Sequence, residues 1–231
     1  AAVYGIDLSK IFCYTISGRK RTGKTNIIKG LIRSAARKGG KVVVLEYGSD
    51  ELKATAEKTG AFYIDNQKEQ GEFFRDLIQV VTARNEIKKA MTLEGREEKL
   101  YDAMRDEEQI YIFIADIESF VTMVHKPEEG VLNIRPFLEN LTEKGKQLNV
   151  YFFAGINPDM VSSVIGLRSY ENITGYGTGI HLGGNVSNLR YMDFGYMSYT
   201  EQGKTVKTGI GMIPAGNEET VTKVVTPLVK G

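Results

Sequence analysis

Residues 18–25, Gly18-Arg19-Lys20-Arg21-Thr22-Gly23-Lys24-Thr25, constrain this chain more than any other feature. They fit G-x-x-x-x-G-K-[ST] without a mismatch. Residues 11–17 (IFCYTIS) are a short β-rich run, and after the loop Ile27, Ile28, Leu31, Ile32, Ala35 and Ala36 recur at helical spacing. A strand, a glycine-flanked loop and a helix with one apolar face is the context that wraps phosphate. Such a loop bends so that successive backbone N–H groups point inward at phosphate oxygens. Glycine permits the close approach, and the start of the helix adds its positive end. Lys24 is expected to reach the β- and γ-phosphates of a nucleoside triphosphate, and the Thr25 hydroxyl to bind Mg²⁺. Gly18, Arg19, Lys20, Arg21, Thr22, Gly23, Lys24 and Thr25, with Asn26 directly after them, are the expected nucleotide contacts.

Three cations inside the loop are unusual. Arg19, Lys20 and Arg21 either add charge over the phosphates, form a basic edge for a partner, or point to water, as long cationic side chains generally do. Arg21 stands where many such loops carry a third glycine, so a narrower or shifted loop is expected.

A loop of this kind needs a carboxylate at the end of a buried strand to hold the metal. Asp116 fits that place, directly after the apolar run 110–115 (IYIFIA). The competing role for it is to cap the helix that follows. Hydrolysing proteins of the broad class place a glutamate next, to orient the attacking water, and here Ile117 stands there. Glu118 is the candidate catalytic carboxylate, but at 3.6 residues per turn it is rotated by about 100° if a helix begins at once. The sequence supports binding better than hydrolysis.

Strand and helix signals alternate along the chain, which predicts an α/β protein with a mostly parallel central sheet and helices on both faces. Strands are expected at 41–46, 61–64, 110–115 and 149–154. Helices are expected at 50–58, at 132–144, and over a long charged stretch from 69 to about 107 that Gly95 breaks. Its Phe73 and Phe74 are expected in the core. After Ser169 the glycines crowd, which predicts a C-terminal β-hairpin region with a turn at 201–204 between two hairpins.

Composition excludes several classes. With 42% hydrophobic and 26% charged residues, the chain has the balance of a globular domain. A formal net charge of +1 argues against a nucleic-acid partner gripped over a long track. Cys13 is the single cysteine, so no internal disulfide forms, and with His125 and His181 the only histidines no zinc cluster is expected. No apolar run approaches the ~20 residues of a membrane span. The first residues have no signal-peptide pattern and no initiator methionine, so a piece of a longer chain is expected.

The succession IFCYTISGRKRTGKTNIIKGLI, IYIFIADIESF, VYFFAGINPDMVSSVIG and the tail GTGIHLGGNVSNLRYMDFG resembles the FtsK/SpoIIIE translocase ATPases. Within that family it looks like the C-terminal ATPase modules of the EssC/EccC/YukB type from Gram-positive type VII secretion. The resemblance covers nearly the whole chain. It implies a RecA-like P-loop fold, one ATPase domain over 1–231, and ATP with Mg²⁺ as ligands. It also implies a membrane-anchored parent chain with several ATPase modules in tandem, on the cytoplasmic face of the cell membrane. Sister modules and secreted substrate proteins are the implied partners, with homo-oligomerisation in the full assembly.

Lys24, Thr25 and Asp116 match the family's phosphate and magnesium residues; other positions depart from it. Ile117 replaces the glutamate. Ile156 stands where DNA translocases carry a sensor glutamine, and Asn157 where arginine is common. Asn157 is either a weak phosphate sensor or a turn residue before Pro158. The arginine that relatives send to a neighbour's nucleotide has no clear match: Gly179 falls near it, and Arg190 and Arg168 are the nearest substitutes. Three functions compete: a degenerate module that binds Mg-ATP and hydrolyses it slowly or not at all, an active secretion motor, and a DNA translocase. The near-neutral charge and the altered AGINP segment count against the last.

Overall fold

The computed structural model describes residues 4–214 and 221–229. In chain order the elements are β1 (Cys13–Gly18), α1 (Lys24–Lys38), β2 (Lys41–Leu45), α2 (Lys53–Thr59), β3 (Phe62–Ile64), α3 (Gln67–Leu93), α4 (Leu100–Ala103), β4 (Ile110–Ile114), α5 (Ile117–His125), α6 (Arg135–Lys144), β5 (Val150–Ile156), α7 (Arg168–Thr174), β6 (Gly179–Leu182), α8 (Tyr199–Gln202), β7 (Ile210–Ile213) and β8 (Thr222–Val225).

The strands form one sheet in the order β3-β2-β4-β5-β1-β6-β7-β8. From β3 to β6 every pairing is parallel, and β7 and β8 are added antiparallel at one edge. β5 lies between β1, which leads into the phosphate loop, and β4, which leads to Asp116. Connections return every parallel strand in the same direction, so the carboxyl ends of β1, β2, β4 and β5 open on one side of the sheet. Ligands of open α/β sheets bind there.

The core is divided by the sheet, and the strands show why. Successive side chains alternate between faces. Cys13, Val43, Leu45, Ile112, Ile114, Phe152 and Ala154 pack on one side with α3, α5, α6 and α7. Tyr14, Ile16, Val42, Val44, Tyr111, Phe113 and Phe153 pack on the other with α1 and α2. Strands buried on both faces read as continuous apolar runs. IYIFI is such a strand, buried at every position. Phe73 and Phe74 lie in the first cluster, as their helical spacing predicts.

Arg84, 2% exposed, ties the long α3 to the opposite end of the sheet. Its guanidinium donates to the carbonyls of Leu148 (2.8 Å) and Glu108 (2.6 Å) and pairs with Glu107 (3.3 Å). That satisfies a buried cation with directed bonds. α3 ends ahead of Gly95, whose φ of +65° turns the chain, as expected.

The C-terminal region departs from the expected hairpins in one place. Residues 201–204 are not a hairpin turn; they hold the end of α8 and the residues that stop it. Ser198 and Glu201 form a reciprocal capping box there, satisfying N–H groups that a hairpin would leave to a partner strand. The antiparallel hairpin lies later, between β7 and β8. The connection from 214 to 221 includes positions outside the described residues.

Candidate nucleotide site

The phosphate loop runs from the end of β1 to the first turn of α1. Gly18 must be glycine because a Cβ there would stand 2.5 Å from Thr22 Oγ1 and 3.1 Å from the Leu182 carbonyl oxygen. Gly23, at φ +109°, precedes the helix with a left-handed turn that favours glycine. Arg21 adopts φ +66°, so the turn that a third glycine commonly makes is made here by an arginine. That conformation carries local strain of ~1–2 kcal/mol. Arg19, Lys20 and Arg21 are all exposed. Arg19 pairs with Asp159 at 3.2 Å across the mouth of the β5 turn.

The start of α1 has the character of an anion site. Among the described residues no side chain caps it, and its first turn carries no acidic residue. Its N–H groups are thus left for a ligand. Lys24, the first residue of the helix, folds back so that Nζ donates to the carbonyls of Gly18 (2.6 Å) and Arg19 (3.0 Å). Among the described residues it makes no ion pair. Burial pushes its ammonium below the ordinary lysine range, while Asp116, Glu51 and Asp159 pull it back up. A half-buried cation whose direct partners among the described residues are two neutral carbonyls suits an anion.

Asp116 follows β4 and caps α5: its Oδ2 accepts from Ser119 N–H (3.0 Å) and Ser119 Oγ (2.9 Å). Oδ1 has no partner among the described residues, so the cap leaves one oxygen for a hydrated metal. The capping role foreseen for this residue is the one its hydrogen bonds show. Thr25 lies on the first turn of α1 and its hydroxyl donates to Glu51 Oε2 at 2.8 Å. Among the described residues no group of three His, Cys, Asp or Glu side chains could hold a metal alone. A magnesium ion here would take Thr25, phosphate oxygens and water, with Asp116 behind the water, and these oxygen donors suit that ion.

The side chains at and after the expected catalytic position have partners within the fold. Ile117 is fully buried in the core between sheet and helices. Glu118 reaches sideways, where its Oε1 accepts from Ser163 Oγ at 2.8 Å, in the single turn after β5. Asn157 closes a turn: its side-chain oxygen accepts from Asp159 N–H at 3.3 Å and its carbonyl from Met160 N–H. Asn26 faces the C-terminal segment, with Nδ2 donating to the Pro227 carbonyl (2.8 Å) and Oδ1 accepting from Val229 N–H (2.7 Å). The Gly209 N–H donates to the Thr22 carbonyl and the Thr226 N–H to the Gly209 carbonyl. The segment after β8 therefore brackets the loop, a contact between residues about 200 apart that no motif announces.

Gly179, in β6, has no room for a side chain: a Cβ would stand 2.3 Å from the Thr15 carbonyl. Arg168 pairs with Glu143, and Arg190 is exposed. Beneath the loop, Ser17 Oγ sits 2.9 Å from His181 Nδ1 and 2.7 Å from the Tyr191 hydroxyl. His181 is 3% exposed. Burial pushes its pKa down to about 4, opposed by backbone hydrogen bonding at Gly184 and Asn185 and aided by the charges of Arg19 and Lys24. It is a neutral support of the loop.

Fold and loop together define a P-loop protein of the RecA-like α/β class. No family model matches the sequence, and no curated protein does either; solved structures do. The cytoplasmic domain of EssC superposes with a TM-score of 0.71 at 16% identity, covering 94% of this chain and 39% of that one. ATPases 2 and 3 of EccC from Thermomonospora curvata, solved with a signal-sequence peptide, give 0.68 at 12% identity over 98% of this chain and 38% of that one. The pCW3 conjugation coupling protein TcpA, solved with ATPgS, gives 0.66 at 14% identity over 94% and 60%. This chain thus has the fold of the EssC and EccC cytoplasmic ATPase domains, and it spans about two-fifths of the length of those solved chains.

Proposed function

We propose that this chain is a Mg-ATP-binding module of a type VII secretion translocase, of the FtsK/SpoIIIE kind, that hydrolyses its nucleotide weakly or not at all. Its nucleotide state sets its contacts to sister ATPase modules and to secreted substrate proteins. It works at the cytoplasmic face of the cell membrane as part of a longer, anchored and oligomeric assembly.

The observation that carries the binding half is Lys24: a half-buried ammonium held by two carbonyls, at the uncapped start of a 15-residue helix. Backbone N–H groups, helix end and lysine converge on one anion, and charge-assisted bonds of this kind are about twice as strong as neutral ones. Asp116 and Thr25 supply the metal side. The low-turnover half is supported by Ile117, which lies in the core where hydrolysing relatives place a carboxylate, and by the Glu118–Ser163 bond. Phosphoryl transfer depends almost wholly on positioning and electrostatics, so an absent water-orienting group lowers the rate by several powers of ten.

Calorimetric ATP binding and steady-state hydrolysis, measured on the purified chain, test both halves. Magnesium-dependent binding with turnover near background is expected. Absence of binding overturns the site, whereas brisk turnover lost in Glu118→Gln overturns only the degenerate part.

A further inference from the structure

We propose that Glu51 is a positioning residue of the magnesium site, acting through Thr25. Its carboxylate takes the hydroxyl proton of Thr25, which leaves the lone pairs of that oxygen directed at the metal. The inference rests on the reading of the loop as a Mg-ATP site.

A threonine hydroxyl has one proton and two lone pairs. To ligate a cation it must present a lone pair, so its proton has to be accepted elsewhere. Groups that do this for metal ligands fix the ligand's orientation and tune its affinity. Thr25 Oγ1 donates to Glu51 Oε2 at 2.8 Å. The hydrogen bonds of the other carboxylates around the loop go to groups other than Thr25. Asp116 Oδ2 takes two bonds from Ser119. Glu118 accepts from Ser163, and Asp159 pairs with Arg19.

The loop that carries Glu51 is built to hold it there. Glu46, 2% exposed, follows β2. Its Oε1 accepts from Ser49 Oγ (2.6 Å), and its Oε2 from Leu52 N–H and the Tyr63 hydroxyl (3.0 Å each). Those bonds pin the chain on either side of Glu51. Leu52 is buried among the residues that pack α1 and α2 against the sheet. Glu51 itself is exposed, and replacing it leaves this scaffold intact.

The test measures ATP affinity of the purified chain across a magnesium titration and again in EDTA, for wild type, Glu51→Ala, Glu51→Gln and the neighbouring control Asp50→Ala. Removing an outer-shell partner typically costs metal affinity 10–100-fold. Glu51→Ala should therefore raise the magnesium midpoint about tenfold or more, with nucleotide affinity in EDTA unchanged. Glu51→Gln, whose amide oxygen still accepts the Thr25 proton, should recover most of that shift, and Asp50→Ala should match wild type. An unchanged midpoint in Glu51→Ala, an equal loss with and without the metal, or a Glu51→Gln no better than Glu51→Ala overturns the inference while leaving the nucleotide site standing. A wild-type chain that binds no ATP overturns the site, and the inference with it.

Discussion

Lys24 Nζ lies 2.6 Å from the carbonyl oxygen of Gly18, six residues earlier at the end of the first strand. The lysine closes its own loop from the inside. On the proposed function, a nucleotide would draw it off two carbonyls and offer phosphate oxygens in exchange, which a doubly charged terminal phosphate does favourably. Lys24→Ala should therefore abolish the ATP-induced rise in melting temperature. For wild type that rise corresponds to about 2.7 kcal/mol at a hundredfold excess of ligand over Kd. Thermal scans with and without ATP check this; an undiminished shift in the variant places the nucleotide elsewhere.

Arg21 holds a left-handed backbone, at φ +66°, that glycine adopts freely. Relief of that strain, ~1–2 kcal/mol, is partly offset by glycine's larger entropy loss on folding, ~0.5–1 kcal/mol. Arg21→Gly should stabilise the nucleotide-free chain by about 0.5–1 kcal/mol, a rise in Tm of roughly 1–4 °C for a domain of this size. Arg21→Val should lower it, since a β-branched residue tolerates this region least. Denaturant melts of the two variants decide between backbone strain and a purely electrostatic role.

Ile117 is 0% exposed within the main apolar cluster. Ile117→Glu, which sets a carboxylate directly after Asp116, should not create an ATPase. It buries an unpaired acid and should cost about 3–5 kcal/mol of stability. Urea unfolding and a turnover assay on the same preparation test this. A stable, faster variant would show that the side chain can swing out to the nucleotide.

His181 has its folded pKa depressed to about 4 by burial beneath the loop, against about 6.5 in an unfolded chain. Between those values the unfolded state binds the proton and the folded state does not, so stability falls as pH drops from about 6.5 towards 4. At 1.36 kcal/mol per pH unit, the full effect is about 3 kcal/mol. His181→Gln should lack this part of the acid sensitivity while retaining whatever His125 contributes. Stability curves at pH 7, 6 and 5 for both proteins measure the difference, and parallel curves would refute it.

Much of the architecture was legible because local chemistry and global fold agree. The runs VVVL and IYIFI are apolar at consecutive positions, as strands covered on both faces must be, and Gly39 and Gly95 stop helices where their backbone freedom is used. Residues 201–204 misled because glycine and polar residues mark helix ends as well as hairpin turns. Ser198 and Glu201 then decided for a capped helical turn.

The sequence by itself determined the local shape of the candidate phosphate loop, since its glycines and lysine act through backbone bonds and one helix end, all within eight neighbouring residues. It also placed Asp116, because a carboxylate after a buried strand must emerge at that strand's carboxyl end. Only the tertiary structure decided who stands around them. Glu51 reaches Thr25 across 26 residues and Val229 reaches Asn26 across 203. Ile117 turns into the core while Glu118 turns to Ser163. Such pairings depend on strand order and helix rotation, which are set by packing of the whole sheet rather than by any local pattern.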